Sequence, residues 1–190
     1  MRTLSILALL FLMGGCLSTS SVKAPSNWTL MPNPAELVPA AKPAFDEARL
    51  AVVFVRSPFD GKALTVLRPD GSIAFDPYNQ FASVPSALIK GTALDVLRQT
   101  GLFVGVQPSI TTADVKTTLE LVVDDISLDC RTEGSRQASV KLTLVMIRNR
   151  KVVSACRGEA VVDAAEGNYS AAFGTAFTKA LSEAAAKLVK

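Results

Sequence analysis

Few residues of this chain are of a type and spacing that could do chemistry. Cys16 is the most conspicuous: in "FLMGGCLSTS" it stands where an apolar run stops and a run of hydroxyl residues begins. Gly14 and Gly15 just before it let a protease bind the chain extended while the thiol stays accessible, which suits modification at sulfur and cleavage on its N-terminal side. Asp124 and Asp125 are adjacent carboxylates, a conceivable acid/base pair. Neighbours on a strand point to opposite faces and cannot easily flank one bond, so a solvated β-bulge is the better reading. The sequence contains no histidine, which removes the commonest general base and metal ligand and any triad built on imidazole. No serine has a nucleophile-elbow context, "GNYSAAFG" lacking the glycine spacing, and there is no P-loop, dinucleotide fingerprint or metal-ligand spacing. No catalytic residue, cofactor or metal is nominated, and the chain is not expected to be an enzyme.

The segment before Cys16 has the layout of an export signal. Met1-Arg2 carries one positive charge, and Leu4 to Met13, ten residues, is apolar except for Ser5. A membrane-spanning helix needs about 20 apolar residues, so residues 1–15 read as a signal peptide that is removed. "LMGGC" resembles a bacterial lipobox, with Met13 where leucine is commonest. The resemblance implies a diacylglycerol on the Cys16 sulfur and, after cleavage, an acylated first residue. In lipoproteins of this kind Leu17, rather than an aspartate, implies release to the outer membrane. Residues 16–26 then form a lipidated tether, small and polar after the cysteine, and 27–190 the folded domain. With 20 Lys and Arg against 17 Asp and Glu, scattered without a basic stripe, the domain is not expected to bind nucleic acid.

Four prolines (Pro32, Pro34, Pro39, Pro43) make 31–43 an irregular stretch lying over the surface. "ARLAVVFV" reads as a strand ending at Val55, followed by a hairpin, "ALTVLR" and "SIAF", around Pro69-Asp70-Gly71. Ser83 is placed to cap a helix to Thr100 that buries Ile89, Ala93, Val96 and Leu97 and ends at Gly101. "LFVGV" follows as a short strand. Strands over 117–130, 136–148 and 151–164 form an antiparallel meander. The first changes phase at Asp124-Asp125, and a bulge there keeps both apolar sets inward. A last helix from near Asn168 buries Ala172, Phe173, Ala176, Phe177, Ala180, Ala184 and Leu188. "LTLVMI" and "VVFV" are apolar on both phases, which predicts a sheet covered on both faces, one helix on each. The expected fold is thus α/β: a mixed sheet of about five main strands with helices on both faces and a small added hairpin.

Cys130 and Cys156 lie in an oxidising compartment and invite a disulfide. The turn positions set Cys130 beside residue 162, about six residues from Cys156 and approaching 20 Å away, beyond the reach of a bridge. Buried free thiols are expected over a disulfide.

The stretches "NWTLMP", "VVFVRSPFDGKALTVLRPDGSIAFDPYNQFASVP", "GLFVGV" and the alanine-rich last helix resemble the ABC-type transport auxiliary lipoprotein family, of the paraquat-inducible lipoprotein C type. Phe81 stands where that family usually has tryptophan. The resemblance implies a periplasmic domain anchored to a membrane and a fold like the N-terminal domain of the translocation protein TolB. It also implies partnership with a mammalian-cell-entry (MCE) type substrate-binding protein and an ABC permease and ATPase that move lipids or other apolar molecules. A structural lipoprotein of an envelope-integrity or secretion assembly is the alternative. Tyr78 and Phe81, in "FDPYNQFASVP", are the candidate partner interface, the other reading being two aromatics that cover the end of the helix.

Overall fold

Strand β6, Thr117–Asp129, organises the molecule, whose computed structural model describes residues 24–189. Along one side β6 pairs antiparallel with β7 (Gln137–Arg148), which pairs in turn with β8 (Lys151–Asp163). Its other side is shared. β2 (Ala48–Val55) runs parallel to residues 117–123, and β3 (Ala63–Leu67) runs parallel to Leu128 and Asp129. β5 (Val106–Pro108) flanks β2, while β4 (Ile73–Phe81) and β1 (Ser26–Trp28) continue outward from β3. All eight strands form one mixed sheet, joined by helices α1 (Pro85–Gln99) and α2 (Tyr169–Lys187).

The meander follows the residue pattern closely. Asn149 (φ 51°) and Arg150 (φ 62°) are both left-handed, the conformation a two-residue hairpin turn requires between the paired Arg148 and Lys151. The β6–β7 register slips between Val123 and Asp125, so the expected bulge is present. It lets Leu119, Leu121 and Val123 before it, and Ile126 and Leu128 after it, all be buried. Gly101 ends α1 with φ 63°, as a left-handed C-terminal glycine does. β5 starts later than expected, because Leu102 and Phe103 are spent on the core.

Two expectations are corrected. Ser83 does not cap α1: Val84 holds the N-cap position without a side-chain bond. Asp60, from the β2–β3 connection, accepts from the Ser86 amide at 2.8 Å and its hydroxyl at 3.0 Å, a cap delivered from 26 residues away. Asp60→Ala should cost about 1 kcal/mol, the usual worth of an N-cap, read as a lowered urea midpoint. Ser83→Ala should leave that midpoint unchanged.

The second correction concerns the helices, which share one face of the sheet. α1 packs on β2 and β5, α2 on β7 and β8, and the helices touch each other. The reason is dimensional: a helix about 10 Å wide covers about two strands spaced at 4.8 Å. The row β5-β2-β6-β7-β8 therefore takes both helices on one face. The core between them holds Leu50, Leu121, Ile126, Leu142 and Leu144 from the sheet, Ile89 and Leu97 from α1, and Phe173, Phe177 and Leu181 from α2, none more than 1% exposed.

Residues 29–38 run alongside α2, with a short 3-10 turn at Pro34–Glu36. Three hydroxyl-bearing levels of the helix hold them. The Ser170 hydroxyl donates to the Thr29 carbonyl, the Asn33 amide donates to Thr178 Oγ1, and the Val38 amide donates to Ser182 Oγ. Proline removes amide donors from this stretch; the helix hydroxyls take up those of Asn33 and Val38, and the 3-10 turn takes up those of Ala35, Glu36 and Leu37.

Candidate functional site

Cys16 and the signal segment lie outside the described residues. Where the described chain starts, an aromatic cluster ties β1 to the rest. Trp28 lies 5.3 Å from Phe173 in a stacked arrangement and 4.2 Å from Phe81, ring centroid to ring centroid, with Tyr169 6.3 Å away. β1 pairs parallel with the end of β4, Trp28 against Phe81. Phe81 is only 1% exposed, so it is a core residue and not a partner contact; its ring packs against Trp28 and Phe173. The neighbouring Trp28 supplies the apolar wall that buries it. Tyr78 behaves differently. Pro77 to Asn79 bulge out of β4, where the register jumps, and the Asp76 carboxylate closes the loop by accepting from the Tyr78 and Asn79 amides. Tyr78 is left 45% exposed. Phe173→Ala should remove about 3–5 kcal/mol, as for a fully buried phenylalanine, and loosen β1; the check is a denaturant titration with amide exchange at residues 26–28.

The two carboxylates are hydrogen-bonded at the bulge. The bulge turns both to the face away from the helices, against the expectation of opposite faces. The Thr143 hydroxyl and Arg56 Nε donate to Asp124, and the Ser127 and Ser139 hydroxyls donate to Asp125. These are structural acceptors that pin the bulge. Cys130 and Cys156 are free thiols, as expected, but half-buried rather than buried: Cys130 follows Asp129, level with Asp163, while Cys156 is level with Leu144 and Leu121. Burial pushes the Cys130 thiol above its ordinary pKa, which keeps it protonated and poorly nucleophilic.

The surface that distinguishes the molecule is the sheet face without helices. Register places Phe54, Val122, Thr143 and Arg157 in one row across four strands, and Val52, Glu120, Val145 and Ala155 in the next. Val52 and Phe54 are about half exposed, as are Val153 and Val161, and Val152 is 64% exposed. Glu120 and Arg157 stand among these apolar side chains, with Arg56, Asp124, Lys141 and Glu159 beside them. Half-exposed apolar side chains on a face that no helix covers mark a contact surface for another macromolecule. The sequence had no pattern to separate such a surface from a covered one; the apolar residues on both phases were the signal. A second apolar feature is a groove of about 360 Å³ between Val38–Ala44, Thr100 and Leu102, and Ala185, Ala186 and Val189 at the end of α2.

The architecture is therefore a mixed eight-stranded sheet with both helices on one face, and no helix among the described residues is long and apolar enough to cross a membrane. No family model matches the sequence, and no curated protein matches it. Solved structures share the fold. The crystal structure of a Xanthomonas campestris protein of family DUF330 superposes with a TM-score of 0.58 at 17% identity, over 87% of this chain and 91% of that one. An uncharacterised protein gives 0.61 at 12% identity, over 87% and 97%. The PelC dodecamer from Paraburkholderia phytofirmans gives 0.46 at 13% identity, over 77% and 89%. The first two share this fold over most of both chains.

Proposed function

We propose that the protein is a lipid-anchored accessory subunit of an envelope assembly that moves lipids or other apolar molecules, with no catalytic role of its own. In this reading Cys16 carries the acyl anchor, the residues between it and β1, which begins at Ser26, lift the domain off the membrane, and an MCE-type protein with its ABC permease and ATPase are the partners. The tether follows the periplasmic face of the envelope, at the outer membrane. The observation that carries the reading is the bare sheet face. The chain places apolar residues on both phases of its central strands, covers one face with its own helices, and leaves Val52, Phe54, Val152, Val153 and Val161 exposed on the other. A membrane-held partner is the natural cover for them.

The test is affinity purification of the full chain from detergent-solubilised membranes, alongside Phe54→Glu with Val153→Glu. The wild type should bring down the MCE-type protein and permease. The double variant, whose changes are on exposed positions, should keep its melting temperature and lose the partners. A solitary lipoprotein, or recovery of peptidoglycan-associated or secretin-type proteins, overturns the transport reading.

A further inference from the structure

The groove between residues 38–44 and the ends of the two helices takes no part in the proposed function. It lies on the helix side of the sheet, at the opposite end of α2 from Tyr169 and Trp28, so it is separate from the bare face. Its floor is Thr100, Leu102 and Ala185, all buried, and its lips are Val38 and Val189, each about half exposed. Alanines hollow it, Ala40, Ala41 and Ala44 from the irregular stretch and Ala185 and Ala186 from α2. Most polar groups around it are already spent. The Ala40 amide donates to the Thr100 carbonyl and the Ala44 amide to the Leu102 carbonyl, while the Val38 amide donates to Ser182 and the Thr100 hydroxyl to the Leu97 carbonyl. Pro39 and Pro43 have no amide to offer. Such a wall gives water few partners, and small-molecule sites of about 300–1,000 Å³ are built this way, apolar with a few placed polar groups. The donors left over in this stretch stand together. They are the amides of Ala41 and Lys42, which no group among the described residues accepts, and the Lys42 ammonium, which no carboxylate among the described residues pairs.

We propose that the groove binds a single-chain anionic lipid, with the acyl chain laid along the alanines and the carboxylate or phosphate held at Ala41-Lys42. Volume sets the number of chains. If each chain carbon takes about the 30 Å³ that a water molecule occupies in the liquid, the groove of about 360 Å³ holds about twelve carbons. That is one chain, and not the two of a bilayer phospholipid. Charge sets the direction. The C-terminal ends of α1 and α2 meet at this end of the molecule and carry partial negative charge, which leaves the interior to the chain and keeps the anionic head at the rim, where Lys42 stands exposed. The site needs neither the anchor nor the partners of the transport reading.

The test is photolabelling of the full chain in isolated membranes with a hexadecanoate that carries a diazirine in its chain. Mapping the label to peptides separates the groove from Cys16. Label should fall on residues 38–44 and 185–189. Unlabelled fatty acids should compete it away, about threefold better for each added methylene up to about twelve carbons and no better beyond. Hexadecyltrimethylammonium should compete about tenfold less well than hexadecanoate. Ala41→Trp, at an exposed position, fills the groove and should cut the label about tenfold with the melting temperature unchanged. Lys42→Glu, also exposed, should erase the preference for the anionic head and keep the dependence on chain length. Label outside the groove, a flat dependence on chain length, equal competition by the cationic amphiphile, or full labelling of Ala41→Trp overturns the proposal. So does label that appears only after peripheral proteins are washed from the membranes, which assigns the groove to a polypeptide. Each of these results is independent of the co-purification that Phe54→Glu with Val153→Glu tests, so either reading can fail alone.

Discussion

Gly158→Ala should destabilise the domain by about 3 kcal/mol, although it adds one methyl group. An ideal Cβ on Gly158 would lie 1.8 Å from the Ala180 carbonyl oxygen and 2.7 Å from its carbon, with the Ala184 methyl at 3.2 Å. The first two are backbone atoms of α2, so no side-chain rotation relieves the clash. The helix has to lift from β8, and the contacts of Phe177, Ala180, Leu181 and Ala184, all fully buried, lift with it. Gly174 makes the same demand from the helix side, its Cβ falling 1.9 Å from the Met31 carbonyl oxygen, so Gly174→Ala should lose about as much while displacing the stretch over α2. With urea slopes of about 1–3 kcal/mol per molar, either change moves the midpoint by about 1 M or more. Gly91→Ala is the control. That glycine is exposed, within α1, and a methyl added there would meet nothing within 4 Å, so alanine should stabilise by about 0.5–1 kcal/mol. An unchanged midpoint for Gly158→Ala would mean that α2 does not rest on β8 as described.

Cys16→Ser should move the protein from the membrane pellet to the soluble fraction and abolish incorporation of labelled palmitate. Each buried methylene contributes about 0.8 kcal/mol and a single chain holds only marginally, so a multiply acylated cysteine binds without measurable release. Serine offers no thioether linkage, and no helix among the described residues is apolar and long enough to replace the anchor by spanning the bilayer. Fractionation in carbonate buffer, with a folded-state probe on the released form, makes the measurement. Equal membrane retention of the serine form would remove the tether from the proposed function, while leaving the bare sheet face to be explained.

The strands and helices were largely legible in the residue pattern, and their partners were less so. The meander ends within a residue of expectation because period-2 alternation, the Asn149-Arg150 turn and the phase change at Asp124 are local signals. The cap of α1 was not legible, since Asp60 reaches Ser86 across a turn and two strands. Nor was β1: "SNW" has no periodicity, and it becomes a strand because Trp28 finds Phe81 and Phe173. The apolar residues on both phases of β2 and β7 showed that two faces want cover, but they do not say whose atoms supply it. That is why one helix per face was expected and the pair is found together. Phe81 illustrates the same limit for the site, as an aromatic in a stretch bounded by Pro77 and Pro85 reads alike whether it is buried or bare.

The ladder of hydroxyl contacts between residues 29–38 and α2 has a temporal meaning. The first described stretch of the domain is held by α2, 141 residues on from Thr29 to Ser170, so synthesis delivers the lock before its key. Until Ser170 to Ser182 arrive, the Pro32 to Pro39 segment has nowhere to settle and the first aromatic, Trp28, lacks Phe173. Long-range closure of this kind is slow.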